Sequence, residues 1–187
     1  HQTVLKHPVR EEILASQPID SQLVIDGLLG SITDKKPHLY QKHMTQHMLP
    51  GIDRSWLADA TNVFLIRHPA RVIASYAAKR ENPTMDDLGF SQQAELFDLV
   101  RGMGQSPIVI DSADIRRDPE GMLKKLCAVL GLPWDPAMLA WPKGGHEADG
   151  VWAKHWYGAV HESTGFAGAE GEVPDISGPD AALMAQA

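Results

Sequence analysis

Short runs of apolar residues alternate along the chain with segments whose apolar residues recur every three or four positions. Three of these runs have the length of buried strands and lie at residues 38–42, 62–67 and 107–111. Apolar runs of this length, separated by helical segments, are typical of parallel strands that are covered on both faces. The pattern therefore predicts an α/β fold with a parallel sheet flanked by helices.

Residues that begin and end helices mark the segments between these runs. The clearest helix is predicted over residues 119–130, with Asp118 as its N-cap and Gly131 at its end. Its apolar stripe includes Cys127, which is predicted to be a small core residue. Further helices are predicted to start at Asp20, at Asp53 (carrying Trp56 and Leu57), at Pro69 and at Ser91, and the first and third of them to run to Leu29 and Ala78.

Length and composition narrow the classes of protein. A chain of 187 residues favours one domain, and we expect it over residues 1–166, followed by a loosely packed or flexible tail over 167–187 that is rich in Gly, Ala, Pro and acidic residues. The net charge of −7 argues against a nucleic-acid partner. No run approaches the length of a transmembrane helix, the start is polar, and the single cysteine excludes an intrachain disulfide. We therefore expect a cytoplasmic protein with no membrane partner.

An arginine at a predicted strand end is followed, eight residues later, by a helical serine. Arg67 would lie at the carboxyl edge of the sheet, where α/β proteins bind ligands, and its planar guanidinium suits a phosphate. Ser75 would lie about 9 Å along the helix from Pro69. The segment from Phe64 to Tyr76 resembles the 3′-phosphate-binding motif of the sulfotransferases that use 3′-phosphoadenosine 5′-phosphosulfate (PAPS), with His68 where that family usually has Asp.

The block from Asp111 to Trp134 strengthens this resemblance. It contains an acidic turn, Asp118-Pro119-Glu120 and a Leu-rich helix that ends in Leu-Gly-Leu, and sulfotransferases place a similar structural block after their last core strand. The resemblance implies a three-layer P-loop-like fold, as in P-loop NTPases. It covers roughly residues 38–157.

Four further basic residues gain candidate roles from the resemblance alone. Lys42 matches the lysine that contacts the transferring sulfuryl group, and His43 lies one position before the family's catalytic base, so His47 remains the other candidate. Lys154 lies in a segment that is similar to the family's C-terminal lysine motif, which implies a place near the 3′-phosphate. The aromatic residues around it, Trp152, Trp156 and Tyr157, are better explained as packing residues.

The resemblance implies transfer of a sulfuryl group from PAPS to a hydroxyl or amine of a small-molecule acceptor. No Gly-rich loop between a strand and a helix precedes Lys42, so we expect the N-terminal strand and phosphate loop of the family to be missing and this chain alone to be inactive. The strands ending at Lys42 and Arg67 should then be separated by a gap or closed against each other. Such a sheet predicts poor stability or a strand from another chain, which leaves a homodimer open.

Two other functions and a metal site remain as alternatives. The domain could be a non-catalytic sulfotransferase-like binding protein. The sequence Arg67-His68 also resembles the phosphorylated motif of histidine phosphatases, although no Gly follows it. His43 and His47 are four residues apart, but no Asp or Glu lies between Lys42 and Pro50, so a solvated pair is favoured over a metal site.

Overall fold

The computed structural model describes residues 9–30, 37–78 and 82–187. Within these ranges two strands, β1 (Val63–Ile66) and β2 (Ile108–Asp111), form a parallel pair. The register places Val63 opposite Ile108 and Ile66 opposite Asp111. These are the second and third predicted strands, and their parallel pairing confirms an α/β arrangement with a small parallel sheet.

The first predicted strand, at residues 38–42, was wrong. This segment has no regular secondary structure and leads into a short 3₁₀ helix, Thr45–His47. Tyr40 is 89% exposed and Leu39 is 53% exposed, so the apolar side chains that suggested a strand are not covered. The amide of Gln41 donates a 2.9 Å hydrogen bond to the carbonyl of Leu28 on a helix. Because residues 38–42 do not form a strand, the prediction of a gap or a closed pair between that strand and β1 does not apply.

Helices flank the strand pair, but the prediction that the strands are covered on both faces was wrong, because Leu65 of β1 is 56% exposed and Val109 of β2 is 47% exposed. They are α1 (Arg10–Ser16), α2 (Ser21–Leu29), α3 (Pro69–Ala77), α4 (Met85–Leu88), α5 (Phe90–Gly102), α6 (Ser112–Arg117), α7 (Pro119–Leu130), α8 (Ala153–Trp156), α9 (Gly158–His161) and α10 (Ala181–Met184). Further 3₁₀ helices are Ser55–Asp59, Pro136–Leu139 and Gly178–Asp180. No helix in the described ranges combines the length and the apolar character needed to cross a membrane.

The capping residues explain most of the helix boundaries. Asp20 accepts hydrogen bonds from the first turn of α2, and Asp118 accepts one from Gly121 at the start of α7, as predicted. Gly131 ends α7 in the left-handed conformation, with φ of 67°. The Asp53 side chain accepts from Ser55, although the 3₁₀ helix that follows has Arg54 in its N-cap position.

The predicted N-cap at Ser91 was wrong, because Gly89 starts that helix instead. Gly89 has a φ of 76° and forms the junction between α4 and α5. Its carbonyl accepts a 2.9 Å hydrogen bond from the hydroxyl of Thr45. A Cβ at this position would lie 2.5 Å from that hydroxyl oxygen, so both the conformation and the close approach require glycine. The tight junction moves the start of α5 to Phe90.

The main buried cluster lies beside the strand pair and beneath α2 and α5. Its members are Ile25, Met48, Trp56, Leu57, Leu96 and Val100. Phe64 of β1 packs against this cluster, which ties the sheet to the helices. Cys127 on α7 is buried, as predicted, with its Sγ atom 3.9 Å from the sulfur of Met138.

Helix α3 is held against the protein by its own buried face. The side chains of Ala70 and Ile73 are buried, and Ile73 has no exposed surface. Arg71 and Ser75 are one turn apart on this helix, so they lie on a common side of it. The final helix, α10, packs against α3 from the C-terminal segment. The boundary at Phe166 between a domain and a tail stays a prediction.

Candidate functional site

A cavity lies where β1 ends and α3 begins. Arg67 directly follows β1, and Pro69 is the first residue of α3. The cavity has a volume of about 180 Å³ and is lined by Arg67, Val72, Ser75, Tyr76 and Trp156. Ligand pockets usually measure about 300–1,000 Å³, so this cavity suits one end of a nucleotide-sized ligand. The two residues predicted to bind a phosphate, Arg67 and Ser75, thus lie at one cavity.

His68 has a local structural role at the start of α3. Its Nδ1 atom accepts a 3.2 Å hydrogen bond from the backbone N–H of Ala70. This is the contact that the carboxylate of an N-cap Asp makes, so His68 can replace the usual Asp without leaving the helix uncapped. The imidazole is therefore accounted for as a helix cap.

Three arginines from different elements converge on the carboxylate of Glu170. The Oε1 atom accepts hydrogen bonds from Nε of Arg67 at 3.0 Å, from Nη2 of Arg67 at 2.7 Å and from Nη1 of Arg116 at 2.9 Å. The Nε atom of Arg71 lies 2.9 Å from Oε2. We call Arg67, Arg71 and Arg116 the arginine cluster. The Glu170 side chain is only 3% exposed, so this ion-pair group is partly shielded from solvent.

The arginine cluster determines the ionisation of Glu170. Burial by itself would raise the pKa of Glu170, because it penalises the charged form. The hydrogen bonds from Arg67 and Arg116 and the charges of Arg67 and Arg71 outweigh burial, and the net effect lowers the pKa of Glu170 below its usual value. Glu170 is therefore a carboxylate at neutral pH.

This lowered pKa predicts an acid-dependent loss of stability. Since the folded state holds the Glu170 proton less tightly than the unfolded chain does, the stabilisation is complete above the unfolded pKa, about 4.3, and is lost as pH falls through the folded pKa. We expect the difference in unfolding free energy between wild type and Glu170→Gln to shrink as the pH is lowered from about 6 to about 3. Urea unfolding at each pH measures it. A difference that stays constant over this range would contradict the ion-pair assignment.

The three residues proposed for the chemical step lie in the segment before the core. The Nε2 atom of His43 is 3.1 Å from Oε1 of Gln41, and its ring centroid is 5.3 Å from that of Trp56. Loss of hydration lowers the pKa of His43. It also lowers the pKa of His47, and the positive charges of Lys42 and His43 lower it further. Both imidazoles are thus neutral at pH 7 and able to accept a proton.

These residues do not share the cavity with Arg67 and Ser75. Lys42, His43 and His47 are absent from the cavity's described lining. Lys154 is also absent from it, and its Nζ atom forms a 3.1 Å ion pair with Glu12 of α1. Trp156, two residues further along α8, does line the cavity. Within the described ranges, no group of three or more His, Cys, Asp or Glu side chains is placed to hold a metal ion.

Sequence analysis missed the rest of the arginine cluster and its carboxylate. Arg71 lies four residues before Ser75 on α3, and this helical spacing was a usable signal. Arg116 lies on α6, which begins directly after β2 at the same sheet edge as Arg67. Glu170 is 103 residues from Arg67, and no local pattern connects the two.

Comparison with known proteins gives the family. The chain matches the family model described as a sulfotransferase domain over residues 1–187. The chain belongs to the sulfotransferase domain family. This membership confirms the family resemblance that was carried by the Arg67–Ser75 segment and by the block around α7. No solved structure matches this sulfotransferase domain.

Two curated relatives come from Arabidopsis thaliana. They are named branched-chain-amino-acid aminotransferase-like protein 1, which is 34% identical over 164 residues, and branched-chain-amino-acid aminotransferase-like protein 2, which is 30% identical over 164 residues. The alignment covers 88% of this sulfotransferase domain but 29% of each relative. This chain therefore corresponds to a minor part of each relative, and the relatives' names describe those whole proteins.

Proposed function

We propose that this domain serves in sulfuryl transfer from PAPS to a hydroxyl or amine of a small-molecule acceptor. The observation that carries the proposal is the placement of Arg67 and Ser75 at one cavity, at the carboxyl end of β1. A guanidinium and a hydroxyl are suitable donors for a phosphate monoester. Family membership supplies the reaction class, and the cavity supplies a location for the 3′-phosphate of the donor.

Each residue has a distinct role in this proposal. Arg67 binds the 3′-phosphate through charge-assisted hydrogen bonds, and Ser75 donates a hydrogen bond from α3. By fixing one end of the donor, the two residues orient the sulfuryl group for in-line attack. His43 or His47, both neutral at pH 7, accepts the proton of the acceptor. Lys42 compensates the negative charge that develops on the leaving group.

Binding of nucleotides tests the first step of the proposal. Adenosine 3′,5′-bisphosphate should bind more tightly than adenosine 5′-monophosphate, because only the former carries the phosphate that Arg67 and Ser75 would bind. Isothermal titration calorimetry with the two nucleotides gives the comparison directly. Equal affinities for the two nucleotides would contradict the proposed 3′-phosphate site.

Ser75→Ala is expected to reduce the affinity for adenosine 3′,5′-bisphosphate by about 0.5–1.5 kcal/mol, which is about two- to twelvefold. The effect is modest because a neutral hydroxyl contributes less than a charged donor. Ser91→Ala is a matched control, since Ser91 is an exposed serine on α5. Equal binding by the Ser75 and Ser91 variants would place the phosphate elsewhere.

A non-catalytic nucleotide-binding role is the second candidate. It is favoured by the absence of Lys42, His43 and His47 from the described lining of the cavity. A protein of this kind would bind adenosine 3′,5′-bisphosphate through Arg67 without transferring sulfate. Incubation with PAPS labelled in its sulfuryl group and a phenol or amine acceptor separates the two roles, because only the enzyme transfers the label.

A further inference from the structure

The arginine cluster carries more positive charge than Glu170 neutralises. Three guanidinium groups face one carboxylate, and within the described ranges the ion pairs found for these arginines all go to Glu170. Arginine side chains remain protonated at any ordinary pH. The group therefore has a local charge of about +2, from three cations and one anion. A doubly charged oxyanion would match this charge better than a single carboxylate does.

The arginines also donate hydrogen bonds to the backbone on both sides of Glu170. Nε of Arg116 donates a 2.9 Å hydrogen bond to the carbonyl of Gly168, and Nη2 of Arg71 donates to the carbonyl of Gly171. Residues 166–177 have no regular secondary structure. Few backbone hydrogen bonds would therefore break if this segment moved away, and the donors it released would be available to an incoming anion.

The arginines remain reachable while Glu170 is bound. Their side chains are 36%, 15% and 31% exposed for Arg67, Arg71 and Arg116, respectively. Arg67 belongs to both the arginine cluster and the cavity lined by Ser75 and Trp156. An anion in that cavity would thus meet a guanidinium that already holds Glu170.

An unsatisfied hydroxyl lies at the same sheet edge. Ser112 directly follows β2, as Arg67 directly follows β1, and the strand ends Ile66 and Asp111 are paired. The Ser112 hydroxyl is buried and has no hydrogen-bond partner among the described residues. Ser112 is one helical turn from Arg116 on α6. A buried polar group without a partner is uncommon, so this donor is consistent with a ligand at the sheet edge.

We propose that Arg71 and Arg116 complete, with Arg67, a site for the doubly charged oxyanion of a phosphate monoester, and that Glu170 occupies this site until the oxyanion displaces it. Arg71 and Arg116 are then ligand-binding residues, and the segment 166–177 is released when the ligand binds. The inference rests on the proposed function for the source of the oxyanion, the 3′-phosphate of the donor nucleotide. The arrangement itself requires only a phosphate monoester or inorganic phosphate.

If Glu170 competes with the ligand, removing the charge of Glu170 should increase the affinity for the ligand. Glu170→Gln removes the competing charge while keeping the side chain's shape. The variant should therefore bind adenosine 3′,5′-bisphosphate about tenfold more tightly than wild type does. Glu172→Gln is the matched control, because Glu172 is an exposed neighbour in the same segment, and it should change affinity by less than about twofold. A purely structural role for Glu170 would instead give weaker binding or none in the Gln variant.

A second pair of variants tests the added arginines. Arg116→Ala should weaken binding of the bisphosphate about tenfold, whereas Arg117→Ala should leave it unchanged, because Arg117 is exposed and pairs with Asp114. In the wild-type protein, saturation with the bisphosphate should also increase cleavage by a glutamate-specific protease after Glu170, whose side chain is buried while the arginines hold it. This measurement does not depend on the folding of any variant.

The outcomes separate this inference from the proposed function. Tighter phosphate binding by Glu170→Gln and ligand-induced cleavage after Glu170, without a preference for the bisphosphate over adenosine 5′-monophosphate, would support the inference and reject the 3′-phosphate function. A clear preference for the bisphosphate, with no gain in Glu170→Gln and unchanged cleavage, would overturn the inference and retain the function. If neither nucleotide nor inorganic phosphate binds to any of these proteins, both the inference and the proposed function are overturned.

Discussion

Replacing Arg67 by alanine is expected to weaken binding of adenosine 3′,5′-bisphosphate about ten- to a hundredfold. A hydrogen bond to a charged group contributes about 1.5–3 kcal/mol, and each 1.4 kcal/mol changes the affinity about tenfold. Arg67 is the residue that joins the cavity to the arginine cluster, so its loss removes a charged donor that no other described residue of the lining replaces. Isothermal titration calorimetry measures the affinity.

The control for this experiment is Arg117→Ala, an arginine whose described ion pair is with Asp114 rather than with Glu170. It should leave the affinity unchanged. Because Arg67→Ala also removes two hydrogen bonds from the buried carboxylate of Glu170, the folded fraction of each variant must be measured by urea unfolding. Unchanged binding by a folded Arg67→Ala variant would show that the phosphate does not bind at this edge of the sheet.

Ile73→Ala is expected to destabilise the domain by about 2–5 kcal/mol. Ile73 has no exposed surface, and its side chain forms much of the buried face of α3. Truncation to alanine removes apolar contacts and leaves a cavity that the neighbouring helices fill only in part. Since native domains are stable by about 5–15 kcal/mol, this change is large enough to unfold part of the population at 25 °C or slightly above.

Urea unfolding measures the loss, and Ile73→Val provides the graded control, with an expected cost of about 0.5–1.5 kcal/mol. The two variants also separate packing from ligand contact. Ile73 is not part of the cavity lining, so folded Ile73→Val should bind the bisphosphate as wild type does. A cost below 1 kcal/mol for Ile73→Ala would mean that α3 is not anchored by this side chain.

Local sequence was sufficient for the elements that depend on neighbouring residues. The helix over residues 119–130 is present with both predicted ends, because Asp118 and Gly131 act on the backbone within one turn of themselves. β1 and β2 follow from two of the three apolar runs, although the structure leaves Leu65 of β1 and Val109 of β2 exposed. The spacing of Arg67 and Ser75 likewise depends on one strand end and two turns of one helix, and the structure places both at the same cavity.

Tertiary structure decided the features that depend on distant parts of the chain. Residues 38–42 have a strand-like pattern, but a strand also needs a neighbouring strand, and here Gln41 bonds to α2 instead. Gly89 displaced the start of α5 because Thr45, 44 residues away, approaches its backbone. The carboxylate of Glu170 meets Arg67 across 103 residues, since the path of the chain rather than any local spacing brings opposite charges together. The sequence alone therefore determined the family, the two strands and the pair of residues proposed to bind a phosphate. The ion pair between Arg67 and Glu170 depends on the folded chain.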